Sequence, residues 1–124
     1  LYHNHDFEFK KVGNKSIYEH FISYSDPKLV GFEMDLYWVV SGGENPVALF
    51  KKYPNRFPLW HVKDMDKVKK VSTEVGNGRI DFKTIFANAK LAGLDVPVVE
   101  QEDFTGTSID SAKTCLVNLK KLKV

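Results

Sequence analysis

Apolar and polar residues alternate in four short runs, and after each run the apolar ones recur at three- or four-residue spacing. The first run, LYHNHDFEF over residues 1–9, reads as extended, and the turn signal VGNKS follows it. SIYEHFISY then spaces Ile17, Phe21 and Tyr24 at helical intervals behind Ser16, whose hydroxyl suits an N-cap. KLVGFEMDLYW is strand-like, and NPVALFKKY is a helix with Asn45 at its cap and Pro46 at its first position, where a missing N–H costs nothing. RFPLWHVKD is extended again, and VSTEVGNGRI reads as a long loop. Asp81 caps the next helix, Ile80 and Ile85 are placed for a hydrophobic staple, and Gly93 stops it. LDVPVVEQ is the fourth strand. The last helix starts near Thr107, with Asp110 three residues on as a capping partner and Ile109, Ala112, Leu116 and Leu119 as its inward face.

Four strand–helix units in sequence predict an α/β fold with a parallel sheet covered by helices. Parallel strands are usually buried on both faces and read as unbroken apolar runs. These do not. Side chains alternate across a strand, so Phe32 and Met34 point one way, Glu33 and Asp35 the other. Trp60 and Val62 likewise oppose His61 and Lys63, Val99 opposes Val98 and Glu100, and His3 and His5 oppose Tyr2 and Asn4. Each strand therefore turns an ionisable residue away from its most apolar side, close to its C-terminal end.

Composition adds mainly exclusions. With 124 residues, 43% hydrophobic and 27% charged, the chain is one domain or a piece of a larger one and is not disordered. A net charge of +2 predicts no nucleic-acid partner; the lysines at 67–70 and 120–123 read as solvated faces. No apolar run approaches the roughly 18 residues that span a bilayer, so no membrane association is expected. Cys115 is the only cysteine and lies in an apolar helical pattern, so it reads as a buried small hydrophobe. The lack of disulfide partners permits a cytoplasmic protein.

The ionisable positions carry the chemistry. Burying an unpaired carboxylate or imidazolium costs several kcal/mol, so successive strands do not carry them without mutual ion pairs or a metal. Glu33, Asp35, His61 and Glu100 offer oxygen and imidazole donors with no thiolate. That set suits one divalent cation such as Mn, Mg, Co or Zn and leaves positions for a substrate. Functional groups of parallel α/β folds gather at the carboxyl ends of strands, which is where these lie.

YHNHDFEF, VGFEMDLYWV, FPLWHVKDMD and VVEQED, in this order, resemble the later strands of the sugar phosphate isomerase/epimerase family. This is the xylose isomerase-like TIM-barrel group, which also includes inosose dehydratase and tagatose epimerase. The resemblance runs over essentially all 124 residues, yet a (β/α)8 barrel needs about 250. It therefore implies that residues 1–124 are the C-terminal half of such a barrel, about four βα units, with Leu1 inside a strand. An N-terminal half-barrel or a second copy of the chain would then be needed to close it.

The resemblance also implies roles. Asp35, His61 and Glu100 match the last three of four metal ligands, and His3 or His5 stands where epimerases of the family carry a glutamate, with Glu8 further along. The expected function is a divalent-metal-dependent sugar or sugar-phosphate isomerase or epimerase, in which a proton is removed beside a carbonyl to give a metal-stabilised enediolate. Glu100 is expected to be both ligand and catalytic, His5 or His3 the second acid/base, and Lys63 catalytic or a holder of substrate oxygen. Asn4, Trp38 and Gln101 are expected to bind substrate or orient ligands, and Tyr37 either to meet a sugar ring or to pack under a loop. Because YHNH replaces a glutamate, an inosose-dehydratase-like lyase acting on a keto-sugar or cyclitol is the alternative. A non-catalytic sugar-binding barrel is a third. A DNA-repair endonuclease of the same fold would need more ligands and a basic groove.

Overall fold

The computed structural model describes residues 1–122. Four parallel strands form its sheet in the order β1 (Tyr2–His3), β4 (Phe32–Asp35), β5 (Leu59–Val62), β8 (Val96–Val99). Two short antiparallel hairpins stand outside the sheet, β2 (Lys11–Val12) with β3 (Lys15–Ser16), and β6 (Asp64–Met65) with β7 (Ser72–Thr73). The helices are α1 (Ile17–Tyr24), α2 (Leu36–Ser41), α3 (Pro46–Lys52), α4 (Phe82–Phe86), α5 (Ala89–Ala92) and α6 (Ser108–Lys121).

Strand register fixes which residues share a face. His3 pairs with Glu33, Glu33 also with Leu59, Asp35 with His61, and His61 with Val98. One face therefore carries His3, Glu33, Asp35, His61 and, beyond the strand ends, Lys63 and Glu100. The other carries Phe32, Met34, Trp60 and Val62, all at most 1% exposed. Tyr18 and Ile22 of α1, Leu36 and Val39 of α2, and Leu49 and Phe50 of α3 join them in one core. Phe50 stacks on Trp60 with ring centroids 4.9 Å apart and planes 2° from parallel. So the alternation read from the sequence corresponds to a helix-covered apolar face and a polar face.

The local signals mostly hold. Ser16 and Glu19 form a complete capping box on α1, Asn45 accepts two N–H groups at the start of α3 behind Pro46, and Thr107 caps α6 through Asp110. Gly93 ends α5 at φ 76°, in the left-handed region where other residues are strained. Several expectations need correction. Only Tyr2–His3 of residues 1–9 is a strand; Phe7–Phe9 forms a 3-10 turn because Glu8 turns inward. Leu36, Tyr37 and Trp38 begin a helix rather than continuing a strand, since the Asp35 carboxylate accepts the Trp38 N–H and caps it. The helix expected from Asp81 to Gly93 is broken into α4 and α5 at Ala87–Asn88, although Ile80 and Ile85 are both buried as a staple requires.

Two inward faces are also shifted. In α1, Tyr18 and Ile22 point inward, while Phe21 and Tyr24 are exposed and Ile17 is half-buried. In α6, Ser111 and Cys115 are buried and Leu119 is half-buried, whereas Ile109, Ala112 and Leu116 are exposed. The cause in α6 is polar: Ser111 donates to Glu74, Asn118 donates to the Val75 carbonyl, and the Val75 N–H donates to Cys115 Sγ. These bonds to the loop after β7 set the helix rotation, and the apolar stripe is left facing outward with Val99 and Phe104.

Candidate metal centre

Four donor groups from four strands converge on the polar face. His3 ends β1, Asp35 ends β4, His61 lies in β5 and Glu100 directly follows β8. One ligand atom from each lies within 4.8 Å of the other three. Asp35 Oδ2 is 3.4 Å from His3 Nε2 and 3.8 Å from His61 Nδ1, and His61 Nδ1 is 3.0 Å from Glu100 Oε2. The sheet builds this grouping directly: Asp35 and His61 are register partners, while His3 and Glu100 stand one diagonal step away on the same face.

Two of these atoms test whether a cation fits. His3 Nε2 and Asp35 Oδ2 are buried and accept no hydrogen bond. A buried polar atom without a partner costs about 1–3 kcal/mol, and here two such atoms face the same point. A cation there would satisfy both. The donor set, two carboxylates and two imidazoles with no thiolate, is the chemistry divalent Mn, Mg, Co or Zn accepts.

The electrostatics agree with that fit. Burial pushes the Asp35 carboxyl up from 3.8 to about 7, against the opposing pull of the Trp38 N–H and of Lys63. Burial also acts upward on Glu100, but Lys63 and His61 outweigh it and hold that carboxyl below its ordinary value. Burial, reinforced by His61 and His5, lowers His3 and keeps its ring a neutral donor. The site is thus short of positive charge at its deepest point.

The remaining expected residues divide clearly. His3, not His5, is the first-strand histidine that joins the four converging donors. His5 is exposed beside it, its ring centroid 4.9 Å from that of His3 and 5.3 Å from Trp38. Lys63 is fully buried, with Nζ 3.7 Å from Glu100 and 2.6 Å from Glu102 and 5.1 Å above both the Tyr37 and Trp38 rings. Its amine hydrogen-bonds neither carboxylate: Glu100 is too far away, and Glu102, though close, is off the hydrogen-bonding angle. Trp38 is half-buried at the rim, and Tyr37 packs under a loop, donating to the Lys70 carbonyl.

Of the two residues expected to bind substrate or orient ligands, Asn4 lies against Asp35 and Gln101 turns away. Asn4 is fully buried, and its side chain accepts from the Asp35 N–H and donates to the Asp35 carbonyl. It extends the β1–β4 ladder by one residue in side-chain form and fixes the ligand's backbone, an orienting role. Gln101 alternates with Glu100 and so turns to the helix side, where it donates to the Asp103 carbonyl and approaches Cys115. Glu8 also points elsewhere, accepting from Tyr2 Oη and the His5 N–H.

One acidic residue, Glu102, escaped the sequence reading of the site, and one that it counted among the donors, Glu33, stands outside the cluster. Glu102 pairs with Lys63, a contact that needs the turn after β8 and has no local signature. Glu33, which shares a strand face with Asp35, meets His61 Nε2 at 2.5 Å and is not one of the four converging donors. A cleft of about 710 Å³ opens between the β6–β7 hairpin and residues 102–105. Its lining includes Glu102, the partner of Lys63, but none of the four donors, so it is an adjoining space and not the cluster itself.

No protein-family model matches the chain. Among curated proteins, the inosose dehydratase of Clostridium beijerinckii is 37% identical over 82 residues, 52% of this chain and 28% of that protein. The inosose dehydratase of Clostridium tetani is 35% identical over 79 residues, 50% of this chain and 26% of that protein. Among solved structures, a sugar phosphate isomerase/epimerase from Parabacteroides distasonis superposes with a TM-score of 0.83 at 34% identity, over 96% of this chain and 43% of that one. A second from the same organism gives 0.81 at 31% identity, over 97% and 44%. The chain thus spans under a third of the curated relatives and under half of the solved chains. No helix among the described residues is long and apolar enough to cross a membrane.

Proposed function

We propose, from a chain that has the partial-barrel fold of the sugar phosphate isomerase/epimerases, that it carries the metal-binding half of a sugar isomerase or epimerase. The carrying observation is the convergence of His3, Asp35, His61 and Glu100, with two buried donor atoms that nothing else satisfies. These four residues would hold one divalent cation, which when bound grips substrate oxygens and polarises a carbonyl so that the adjacent C–H becomes acidic. Glu100 stays ionised beside Lys63 and His61 and faces the substrate side. His5, exposed next to His3 and Trp38, is placed to take or return a proton. The half-buried Trp38 rim offers an apolar face for a sugar ring.

The sheet requires company for this function. Both its outer strands, β1 and β8, have a free edge, and all four residues of β8 are exposed. We take the remaining βα units to come from an N-terminal half of the protein or from a second copy of this chain, closing the barrel over the polar face.

Elimination is the second reading, favoured by a specific observation. An imidazole, His3, stands in the first ligand position where a two-glutamate epimerase would keep a carboxylate base, and both matched curated proteins carry the name inosose dehydratase. One experiment separates the two. The full-length protein with added Mn is incubated with keto- and aldo-sugars and with inososes in D2O and followed by NMR. Isomerisation or epimerisation is expected to give an isomeric product carrying deuterium at the carbon beside the carbonyl. Loss of water from the substrate would establish the lyase, and unchanged substrate protons throughout would remove both readings in favour of a binding protein.

A further inference from the structure

We infer that the cleft beside the four-donor cluster is a subsite for a second, uncharged group of the substrate, which makes the substrate a neutral glycoside and not a phosphorylated sugar; this rests on the sugar reading above. The cleft holds about 710 Å³, within the range of small-molecule sites. Its walls are tied together. Ser72 of β7 donates its N–H and its hydroxyl to the Asp103 carboxylate, and its Oγ accepts the Asp103 N–H at 2.8 Å. The cleft also runs on towards the cluster. Lys63 Nζ lies 3.7 Å from Glu100 of the cluster and 2.6 Å from Glu102 in the cleft wall, so the two carboxylates stand about a sugar ring's width apart. That amine is fully buried and has no hydrogen-bond partner among the described residues. A substrate oxygen joining the two groups would give it one.

The lining sets the chemistry of the occupant. Phe104 and Val71 are 44% and 41% exposed, an aromatic and an aliphatic surface that suit the C–H face of a ring. Around them stand the carboxylates of Asp66, Glu74, Glu102 and Asp103, against a single lysine, Lys69. Lys67 and Lys70 of the same hairpin are exposed and do not line the cleft. Asp66 accepts the Val68 and Lys69 N–H groups through Oδ1, and Asp103 accepts from Ser72 through Oδ2, so each keeps a second oxygen for a hydroxyl donor. Such walls accept from hydroxyls and repel a phosphate. Two nearby features of the kind that bind phosphate are filled from within. The N–H groups of Gly76, Gly78 and Ile80 all donate to Asp64, and the start of α6 is capped by Thr107 with the Asp110 carboxylate in its first turn.

The test uses the full-length protein with cellobiose, phenyl β-glucoside and glucose 6-phosphate as probes. NMR signals from the Val68 and Val71 methyls and the Phe104 ring read occupancy of the cleft, and competition with a chelator reads Zn affinity in the same samples. Both neutral glycosides are expected to shift those signals, and glucose 6-phosphate to bind about tenfold more weakly or worse. Glu102→Gln should narrow that difference. Phe104→Ala, at a partly exposed position, should weaken glycoside binding about threefold or more and leave Zn affinity unchanged. Signals that stay still with both glycosides, or glucose 6-phosphate binding as tightly as either, would overturn the inference. Cleft signals that shift in a protein unable to hold Zn would sink the metal reading alone, and Zn binding with a silent cleft would sink this inference alone.

Discussion

An Asp35→Asn protein is expected to lose cation binding by about a hundredfold or more, exceeding the loss of an outer partner, and yet to be the more stable protein when ion-free at pH 8. The two effects share one cause. Burial raises the Asp35 carboxyl from 3.8 to about 7, so ionising it in the fold costs on the order of 4 kcal/mol at about 1.4 kcal/mol per tenfold. Asparagine removes that charge, keeps the volume, and can still accept the Trp38 N–H that caps α2. Its amide can also donate to His3 Nε2, which otherwise has no partner. The pH dependence follows from the raised value. The folded state holds the proton more tightly than the unfolded one, so this contribution to stability is complete below about pH 4 and is lost as pH rises towards 7. Denaturant unfolding in the presence of chelator should therefore show a clear gain for Asp35→Asn at pH 8 and little difference at pH 4. Equal or lower stability at both pH values would mean that Asp35 carries no strain for a cation to relieve.

The largest loss of stability is expected one residue beyond Lys63. Asp64 is fully buried, and its carboxylate accepts from the Met65, Gly76, Gly78 and Ile80 N–H groups at 2.8–3.1 Å. Burial still pushes this carboxyl upward, with the four N–H groups pulling against it. Asp64→Ala leaves four donors without their acceptor, and each buried orphan costs about 1–3 kcal/mol, so a loss of about 4 kcal/mol or more is expected. Gly78→Ala attacks the same packing from the other side. A Cβ there would overlap the Met65 carbonyl oxygen and Asp64 Oδ1, and backbone cannot yield as a flexible side chain does. Chemical denaturation of both variants checks this. Changes within about 1 kcal/mol would show that the loop between β7 and α4 folds without the Asp64 carboxylate. Because the loop also holds α6 through Asn118 and Cys115, both variants should loosen the region carrying Glu100 and Glu102.

The glycine-rich VSTEVGNGRI segment was readable only as a loop, since its structure comes from an aspartate outside it. Nothing local in the glycines reveals an acceptor ten or more residues away. The four-donor cluster was more legible. Alternation with period two turned His3, Asp35, His61 and Glu100 away from the apolar side of their strands before any register was known, and strand pairing then brought the four together on one face. The helix faces were less so. In α6 the apolar stripe Ile109, Ala112 and Leu116 is a genuine amphipathic signal, yet side-chain hydrogen bonds from Ser111 and Asn118 rotate a different stripe inward. In α1 the aromatic Tyr18 is buried to fill space against Phe32 and Phe9, so Phe21 and Tyr24, the residues the spacing favoured, remain outside. Asn4 and Gln101 show the same limit at the site. Sequence position put both beside ligands, but only the hydrogen-bond partners reveal that one orients Asp35 and the other faces away.

Anomalous diffraction from crystals of the full-length protein soaked in Mn provides the direct measurement of the four-donor centre. A single peak is predicted about 2 Å from each of His3 Nε2, Asp35 Oδ2, His61 Nδ1 and a Glu100 oxygen. An empty focus at saturating Mn, or a peak held by other residues, would contradict it.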